Sequence, residues 1–130
     1  MVVDQKGASI LDEYKLGQME AKFAEMIWQS APVASGELVK QCAQVFGWKK
    51  STTYTMLKRL CQRGLFENSG GEVRVLITRA DHEAMQSAQF VEETFDGSLP
   101  RFLAAFTRRK QLSAEEIDEL QKLIDDYQEG

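Results

Sequence analysis

The residues best suited to bind a ligand form a run of hydroxyl-bearing and basic side chains between Trp48 and Leu65. The spacing of the apolar residues predicts a helix over residues 51–63, and Gly64 follows where a helix end favours a left-handed residue. Short hydroxyl side chains at the start of a helix suit contacts with base edges, and the free N–H groups there attract phosphate. This combination indicates nucleic-acid binding, with an ordinary solvated helix as the alternative.

The polar side chains of this segment fall into two groups by their positions on the predicted helix. The candidates for contacts with base edges are Ser51, Thr52, Tyr54, Thr55 and Lys58. Basic side chains at the helix ends, on its flank and on the following hairpin are better placed for the phosphate backbone: Lys49, Lys50, Arg59, Arg63 and Arg74. The apolar stripe on the opposite side is expected to be buried and comprises Thr53, Met56, Leu57, Leu60 and Cys61.

The charge of the chain is unevenly distributed. Its net charge is −4, which as a global value does not favour a nucleic-acid partner. Residues 48–74, however, contain six basic and two acidic side chains, whereas residues 113–130 contain seven acidic side chains and one basic one. A basic segment in an acidic protein is what phosphate contact at one surface requires.

The elements around the hydroxyl-rich helix follow a recognisable order. Two amphipathic helices precede it, one over residues 19–28 and one from Ser35, the expected N-cap, to Gly47. Two short β runs around Gly70-Gly71 follow it and predict a hairpin. Three helices followed by a hairpin are typical of a winged helix-turn-helix, in which the third helix enters the major groove of DNA.

The C-terminal half is expected to form helices whose apolar stripes one small core cannot cover. Residues 96–98 separate the first two helices, and Ser113 with Glu116 forms a capping box that opens the third. A second copy of the chain is the simplest partner for these stripes, so a homodimer is expected. The candidate dimerisation residues are Val91, Phe95, Phe102, Leu103, Phe106, Ile117, Leu120 and Ile124.

These patterns predict a mostly α fold with a small β-hairpin. We expect an N-terminal arm over residues 1–15, a winged helix-turn-helix domain over 16–80 and a helical dimerisation region over 81–130. No apolar run is long enough to span a membrane, and the start of the chain lacks a signal pattern. A cytoplasmic location without membrane insertion is therefore expected.

No pattern predicts catalysis, a cofactor or a metal site. His82 stands alone between Asp81 and Glu83, where a solvated or capping histidine is expected. Cys42 and Cys61 lack metal-ligand spacing and are expected to be core thiols. The protein is accordingly predicted to be a binding protein and not an enzyme.

Several motifs, taken together, point to a family. The segment from Thr52 to Leu60 continues with Arg63-Gly64-Leu65, and upstream of it lie Glu20, Trp28, Val33, Ser35 and Trp48. Downstream, Phe95-Asp96-Gly97-Ser98 precedes Leu112-Ser113 and then Glu116, Ile117, Glu119 and Leu120. These motifs, spread over about residues 16–128, resemble the penicillinase-repressor (BlaI/MecI/CopY) family, most specifically in the threonine-rich helix.

The resemblance implies a homodimeric transcriptional repressor that binds a palindromic double-stranded DNA operator through the third helix and the wing. It further implies release through a pathway with a membrane-bound sensor protease, with cleavage at the bond matching Ala105–Phe106. Ala105 stands where the antibiotic-responsive members of that family carry asparagine. Two other interpretations stay open: a ligand-sensing winged-helix regulator, and a winged-helix module that binds protein.

Overall fold

The computed structural model describes residues 16–129, so the predicted arm over residues 1–15 lies outside the described residues. The elements in chain order are α1 Gln18–Ser30, β1 Val33–Ala34, α2 Ser35–Phe46, α3 Lys50–Gln62, β2 Phe66–Ser69, β3 Glu72–Val75, α4 Arg79–Phe95, α5 Leu99–Thr107 and α6 Ala114–Glu129. The three strands form one antiparallel sheet in the order β1-β3-β2. The predicted fold class, mostly α with the element order of a winged helix-turn-helix, is confirmed.

The sheet contains one strand that the sequence did not predict. Strand β1 lies between α1 and α2, and it pairs with β3 so that Val33 is opposite Val73 and Ala34 is opposite Glu72. A strand of two residues is too short to show an alternation of apolar and polar side chains, so no sequence pattern marks it. Its pairing joins the start of α2 to the hairpin.

The first compact unit, whose described residues end at Phe90, has a continuous apolar core. Helices α1, α2 and α3 and the hairpin all contribute side chains with almost no solvent exposure: Phe23, Ile27, Leu38, Cys42, Leu57, Leu60, Leu65, Phe66 and Val73. Burial of each large apolar side chain stabilises the fold by about 1.5–3 kcal/mol. The predicted stripe of α3 is confirmed, with Met56 and Cys61 at its half-buried edge.

The structure corrects the expectation for His82. Its side chain is only 5% exposed, and its ring centroid lies 5.7 Å from that of Trp28. The Trp28 indole Nε1 in turn donates a hydrogen bond to the Ile77 carbonyl oxygen at 3.0 Å. The charged neighbours Asp81 and Glu83 are exposed, which is why the local sequence resembled a solvated helix start. Tertiary packing nevertheless buries the imidazole ring of His82 between them.

The second compact unit begins at Val91, within α4; the helical dimerisation region expected over residues 81–130 stays a prediction. No residue of α5 or α6 is fully buried. Ser98 caps α5 by accepting a hydrogen bond from the Arg101 N–H, and the predicted capping box of Ser113 and Glu116 is present, with N···O distances of 3.0 and 3.1 Å. Local caps therefore define these helices in the absence of a closed interior.

Between residues 16 and 129, none of the helices combines the length and the apolar composition that a membrane crossing needs.

The two cysteines generate a prediction about reactivity. Both are free, Cys42 is buried and Cys61 is half-buried, and burial raises the pKa of both thiols. Since the thiolate is the reactive form, we expect slow labelling of both by a disulfide reagent at pH 8 in the native protein and fast labelling in urea. Cys61 should react before Cys42. Native labelling of Cys42 at the rate found in urea would contradict its placement in the core.

The same pKa shifts predict how stability depends on pH. A thiol whose pKa is higher in the folded chain than in the unfolded chain contributes stability that is fully present below the unfolded value, about 8.5. That contribution is lost as pH rises through the higher folded value. The free energy of unfolding should therefore fall between pH 8 and pH 10, an interval of about two pH units that spans the ordinary thiol pKa. The fall should be smaller in a Cys42→Ala variant.

Candidate nucleic-acid interface

The position of α3 depends on the short turn that joins it to α2. Gly47 ends α2 with a φ of +69°, as the sequence predicted, because a residue without a Cβ adopts this left-handed conformation readily. The Trp48 ring then packs against Phe46 and Phe23, with centroid distances of 4.8 and 5.4 Å. Aromatic packing thus fixes the turn, and through it the point where α3 leaves the core.

The first turn of α3 has backbone N–H groups that no side chain caps. Lys49 occupies the N-cap position in an extended conformation, and no side-chain hydrogen bond is made there. Uncapped N–H groups together with the helix dipole produce a partial positive charge at this end. Within the described part of the chain, Lys49, Lys50 and Lys58 form no ion pair, so their full charges add to it.

The exposed face of α3 carries four of the five predicted candidates for base contacts. Ser51, Thr52, Thr55 and Lys58 are all exposed. Tyr54 differs, because it is half-buried at the edge of the core and its hydroxyl lies 3.2 Å from the Ser35 hydroxyl oxygen. Helical spacing alone placed Tyr54 with the exposed group, since spacing does not show what the neighbouring helix covers.

The predicted phosphate contacts differ in whether they already have an acidic partner. The Arg63 guanidinium lies 4.0 Å from Glu20 Oε2, and Arg74 Nε lies 2.6 Å from Glu72 Oε1. Arg59, on the flank of α3, is exposed. The Arg74–Glu72 pair is largely exposed and contributes about 0–1 kcal/mol, so phosphate can displace Glu72 at little cost, whereas Glu20 is half-buried beside Arg63. Among the described residues of this surface, the uncompensated positive charge is therefore concentrated at the start of α3, at Lys58 and at Arg59.

The wing is a hairpin with a two-residue turn. Ser69 is opposite Glu72, and the intervening Gly70 and Gly71 have φ values of +60° and +82°. A two-residue hairpin turn with two positive φ angles is typical of glycine pairs. The Gly71 carbonyl accepts a hydrogen bond from the Ser35 backbone N–H at 2.8 Å, which holds the turn against the start of α2.

The predicted N-cap role of Ser35 is wrong. Ser35 is the first residue of α2 and not its N-cap, a position that Ala34 occupies without any side-chain hydrogen bond. The Ser35 hydroxyl lies beside Tyr54 of α3 instead. A serine before an amphipathic run normally indicates a cap, and only the tertiary structure shows that this hydroxyl has a partner on another helix.

The second unit presents an apolar groove to solvent. Its volume is about 340 Å³, and its lining comprises Phe102, Leu103, Phe106, Leu112, Glu116, Glu119, Leu120 and Leu123. Phe102 packs edge-on against Phe95 and at a tilt against Phe106, with ring centroids 5.6 and 6.0 Å apart. Among the other predicted dimerisation residues, Ile117 and Ile124 are 55% and 50% exposed, whereas Val91 is half-buried. The Ala105–Phe106 bond lies in the last turn of α5.

Three packed helices, a hairpin against them and an exposed, hydroxyl-rich third helix define a winged helix-turn-helix protein. Comparison with known families is consistent with this geometry. The profile of the penicillinase repressor family matches residues 16–126, and the chain belongs to that family of transcriptional repressors. The resemblance noted in the sequence is confirmed.

Individual relatives match over nearly their whole lengths. A penicillinase repressor from Bacillus licheniformis is 27% identical over 117 residues, which are 87% of this chain and 91% of that protein. The methicillin resistance regulatory protein MecI from Staphylococcus aureus (strain N315) is 20% identical over 115 residues, 85% of this chain and 94% of that protein. The MecI protein from Staphylococcus epidermidis matches to the same extent.

The geometry of the wing turn generates a prediction about stability. A Cβ at Gly71 would meet no heavy atom within 4 Å, so Gly71→Ala changes only the backbone energy at a φ of +82°. We expect a loss of about 1–2 kcal/mol in the free energy of unfolding, measured by urea denaturation. Gly36→Ala in α2 is the matched control, because it has equal space and a helical backbone, and it should not destabilise. Equal losses in both variants would contradict the assigned turn.

Proposed function

We propose that this protein represses transcription by binding a palindromic operator in double-stranded DNA as a homodimer. The observation that carries the proposal is the start of α3, where uncapped N–H groups, exposed hydroxyls and unpaired lysines lie on one surface of a winged helix-turn-helix domain. The names of the relatives, a penicillinase repressor and a resistance regulatory protein, support the same class of function.

In this proposal α3 lies in the major groove. Ser51, Thr52 and Thr55 contact base edges through their hydroxyls, and the threonine methyl groups pack against thymine. Lys58, one turn further along the same face, donates to guanine O6 or N7. Basic side chains on either side anchor the sugar-phosphate backbone: Lys49, Lys50, Arg59, Arg63 and Arg74.

The second unit supports the homodimer. No residue of α5 or α6 is fully buried, and the large apolar side chains Phe106, Ile117 and Ile124 expose between 43% and 55% of their surface. Large exposed apolar surface on a short helical unit favours association, and two identical chains associate by the same patch in a closed pair. A two-fold dimer places its two α3 helices, the recognition helices, about 34 Å or a multiple of that apart. This spacing matches the half-sites of a palindromic operator.

Release from DNA is proposed to follow a signal that weakens this dimer. The Ala105–Phe106 bond lies two residues before the C-terminal end of α5, where helices fray and a protease gains access to the backbone. Cleavage there would separate Phe102 from Phe106 and from α6, and so divide the apolar groove. The two half-sites would then be bound independently, and the gain from bivalent binding would be lost.

Selection of DNA from a random-sequence duplex pool tests the proposal. The wild-type protein should enrich one palindromic sequence, and the logarithm of its affinity should fall with the logarithm of salt concentration by about 0.9 for each phosphate contacted. Lys50→Ala should weaken all sequences and lower this slope. Lys58→Ala should mainly relax the base preference, by about 1–3 kcal/mol.

Lys122→Ala is the matched control for these variants, because Lys122 is an exposed lysine on the acidic helix α6. It should change neither the affinity nor the salt slope. A salt-independent affinity, or the absence of any enriched sequence, would reject DNA binding and favour a protein-binding module. Enrichment that a small molecule abolishes would favour a ligand-sensing regulator.

A charge placed in the apolar groove tests the homodimer. Phe106→Asp should shift the protein towards the monomer in sedimentation analysis and weaken operator binding, because the new carboxylate would be desolvated in the dimer. Ala104→Asp introduces the same charge into the same turn of α5 at an exposed position, so it serves as the control. If both variants remain dimeric and bind the operator like the wild type, this groove is not the dimer interface.

A further inference from the structure

Ser35 links three elements that contribute to the DNA-binding surface. It is the first residue of α2 and is 8% exposed. Its backbone N–H donates to the Gly71 carbonyl in the turn of the wing, at 2.8 Å. Its hydroxyl lies 3.2 Å from the hydroxyl of Tyr54 on α3. A single residue therefore connects the wing turn, the start of α2 and the recognition helix.

The hydroxyls of Ser35 and Tyr54 contact each other and do not cap a helix. A serine at the start of a helix usually accepts a hydrogen bond from a backbone N–H of the first turn, but α2 has no side-chain cap. Tyr54 packs at the edge of the core, whereas Thr55 and Lys58 on the same helix are exposed. The phenol oxygen of Tyr54 therefore contacts the start of α2, at the residue whose backbone N–H also bonds the wing turn.

We propose that Ser35 and Tyr54 are a positioning pair that fixes the recognition helix relative to the wing, and that Tyr54 determines DNA specificity without contacting a base. The inference rests on the proposed DNA-binding function. Phosphate contacts set the register of a protein on the duplex, while base contacts select the sequence. Arg74 on the wing and Lys58 on α3 act together only if the distance between them is constant, and base contacts tolerate errors of about 0.5 Å.

The proposal predicts a pattern that a base contact would not produce. Tyr54→Phe removes one oxygen atom and keeps the ring, and Ser35→Ala removes the other half of the same hydrogen bond. Each variant should lose roughly two- to ten-fold in affinity for the wild-type selected duplex, the range that one hydrogen bond supplies. The double variant should lose no more than either single variant, because the shared interaction is already absent.

The experiment measures binding of the wild type, both single variants and the double variant to two probes. One probe is the duplex that the wild type enriches from a random pool, and the other is a scrambled duplex of equal length and composition. The expected result is a lower ratio of selected to scrambled affinity in all three variants, with unchanged binding to the scrambled probe. Repeated selection with Tyr54→Phe should recover the same preferred sequence with weaker enrichment at several positions.

Thr55→Val is the matched control, since it removes a hydroxyl from the exposed face of the same helix at nearly constant volume. It should change the preference at one base position, and its effect should add to that of Tyr54→Phe. Thermal unfolding of each variant without DNA completes the set. A purely structural role would lower the melting temperature and leave the ratio of selected to scrambled affinity unchanged.

Several outcomes would overturn the inference. Additive losses in the double variant would separate the two hydroxyls, and a changed base at one position in Tyr54→Phe but not in Ser35→Ala would make Tyr54 a base contact. Equal losses on both probes would indicate a phosphate contact. If the wild type enriches no sequence, the proposed function itself fails, whereas enrichment with unaltered ratios in both single variants rejects the positioning pair alone.

Discussion

Helix α3 must bury one face and expose the other, and its buried residues decide which side chains reach solvent. Thr53, Leu57 and Leu60 lie in the core at a spacing of three and four residues. Once they are buried, the geometry of the helix places Ser51, Thr55 and Lys58 on the outside. The polar oxygen of Thr53 is accommodated within the helix, because it donates to the Lys49 carbonyl at 3.4 Å. The exposed, hydroxyl-rich face of α3 thus follows from the packing of its opposite face.

The two units obtain their order from different interactions. The first has a closed core built from three helices and a three-stranded sheet, with aromatic contacts that fix its turns. The second relies on Ser98, on the reciprocal bonds of Ser113 and Glu116, and on edge and tilted contacts among three phenylalanine rings. In the proposed homodimer, the exposed apolar helices of the second unit would couple its stability to association, whereas the first unit has a closed core of its own.

Features encoded by neighbouring residues were predictable from the sequence. The end of α2 at Gly47, the glycine pair of the wing and the capping box at Ser113 all depend on local conformational preferences. The buried stripe of α3 was predictable for a similar reason, because helical spacing determines it. The limits of α3 differed from the prediction by one residue at each end.

Features that depend on distant residues were not predictable. Strand β1 exists because β3 is available to pair with it, and the Ser35 hydroxyl has its partner, Tyr54, on another helix. His82 is buried because α4 begins over Trp28, a residue far earlier in the chain. In each case the local sequence was compatible with two conformations, and a contact between distant segments selected one of them. Tyr54 is the candidate-site residue for which this matters most, because its burial at the edge of the core depends on packing between helices.

The separation of the two faces of α3 has a consequence for how such proteins diversify. Ser51, Thr52, Thr55 and Lys58 are exposed and contribute nothing to the core, so their replacement changes folding energetics by only about 0.5 kcal/mol. If these side chains contact bases as proposed, a duplicated gene could exchange them and acquire a new target sequence without first acquiring extra stability. The turn at Gly47 and Trp48 offers no such freedom, since a change there would move the whole helix. Evolution of the target would then proceed by substitution on a fixed scaffold.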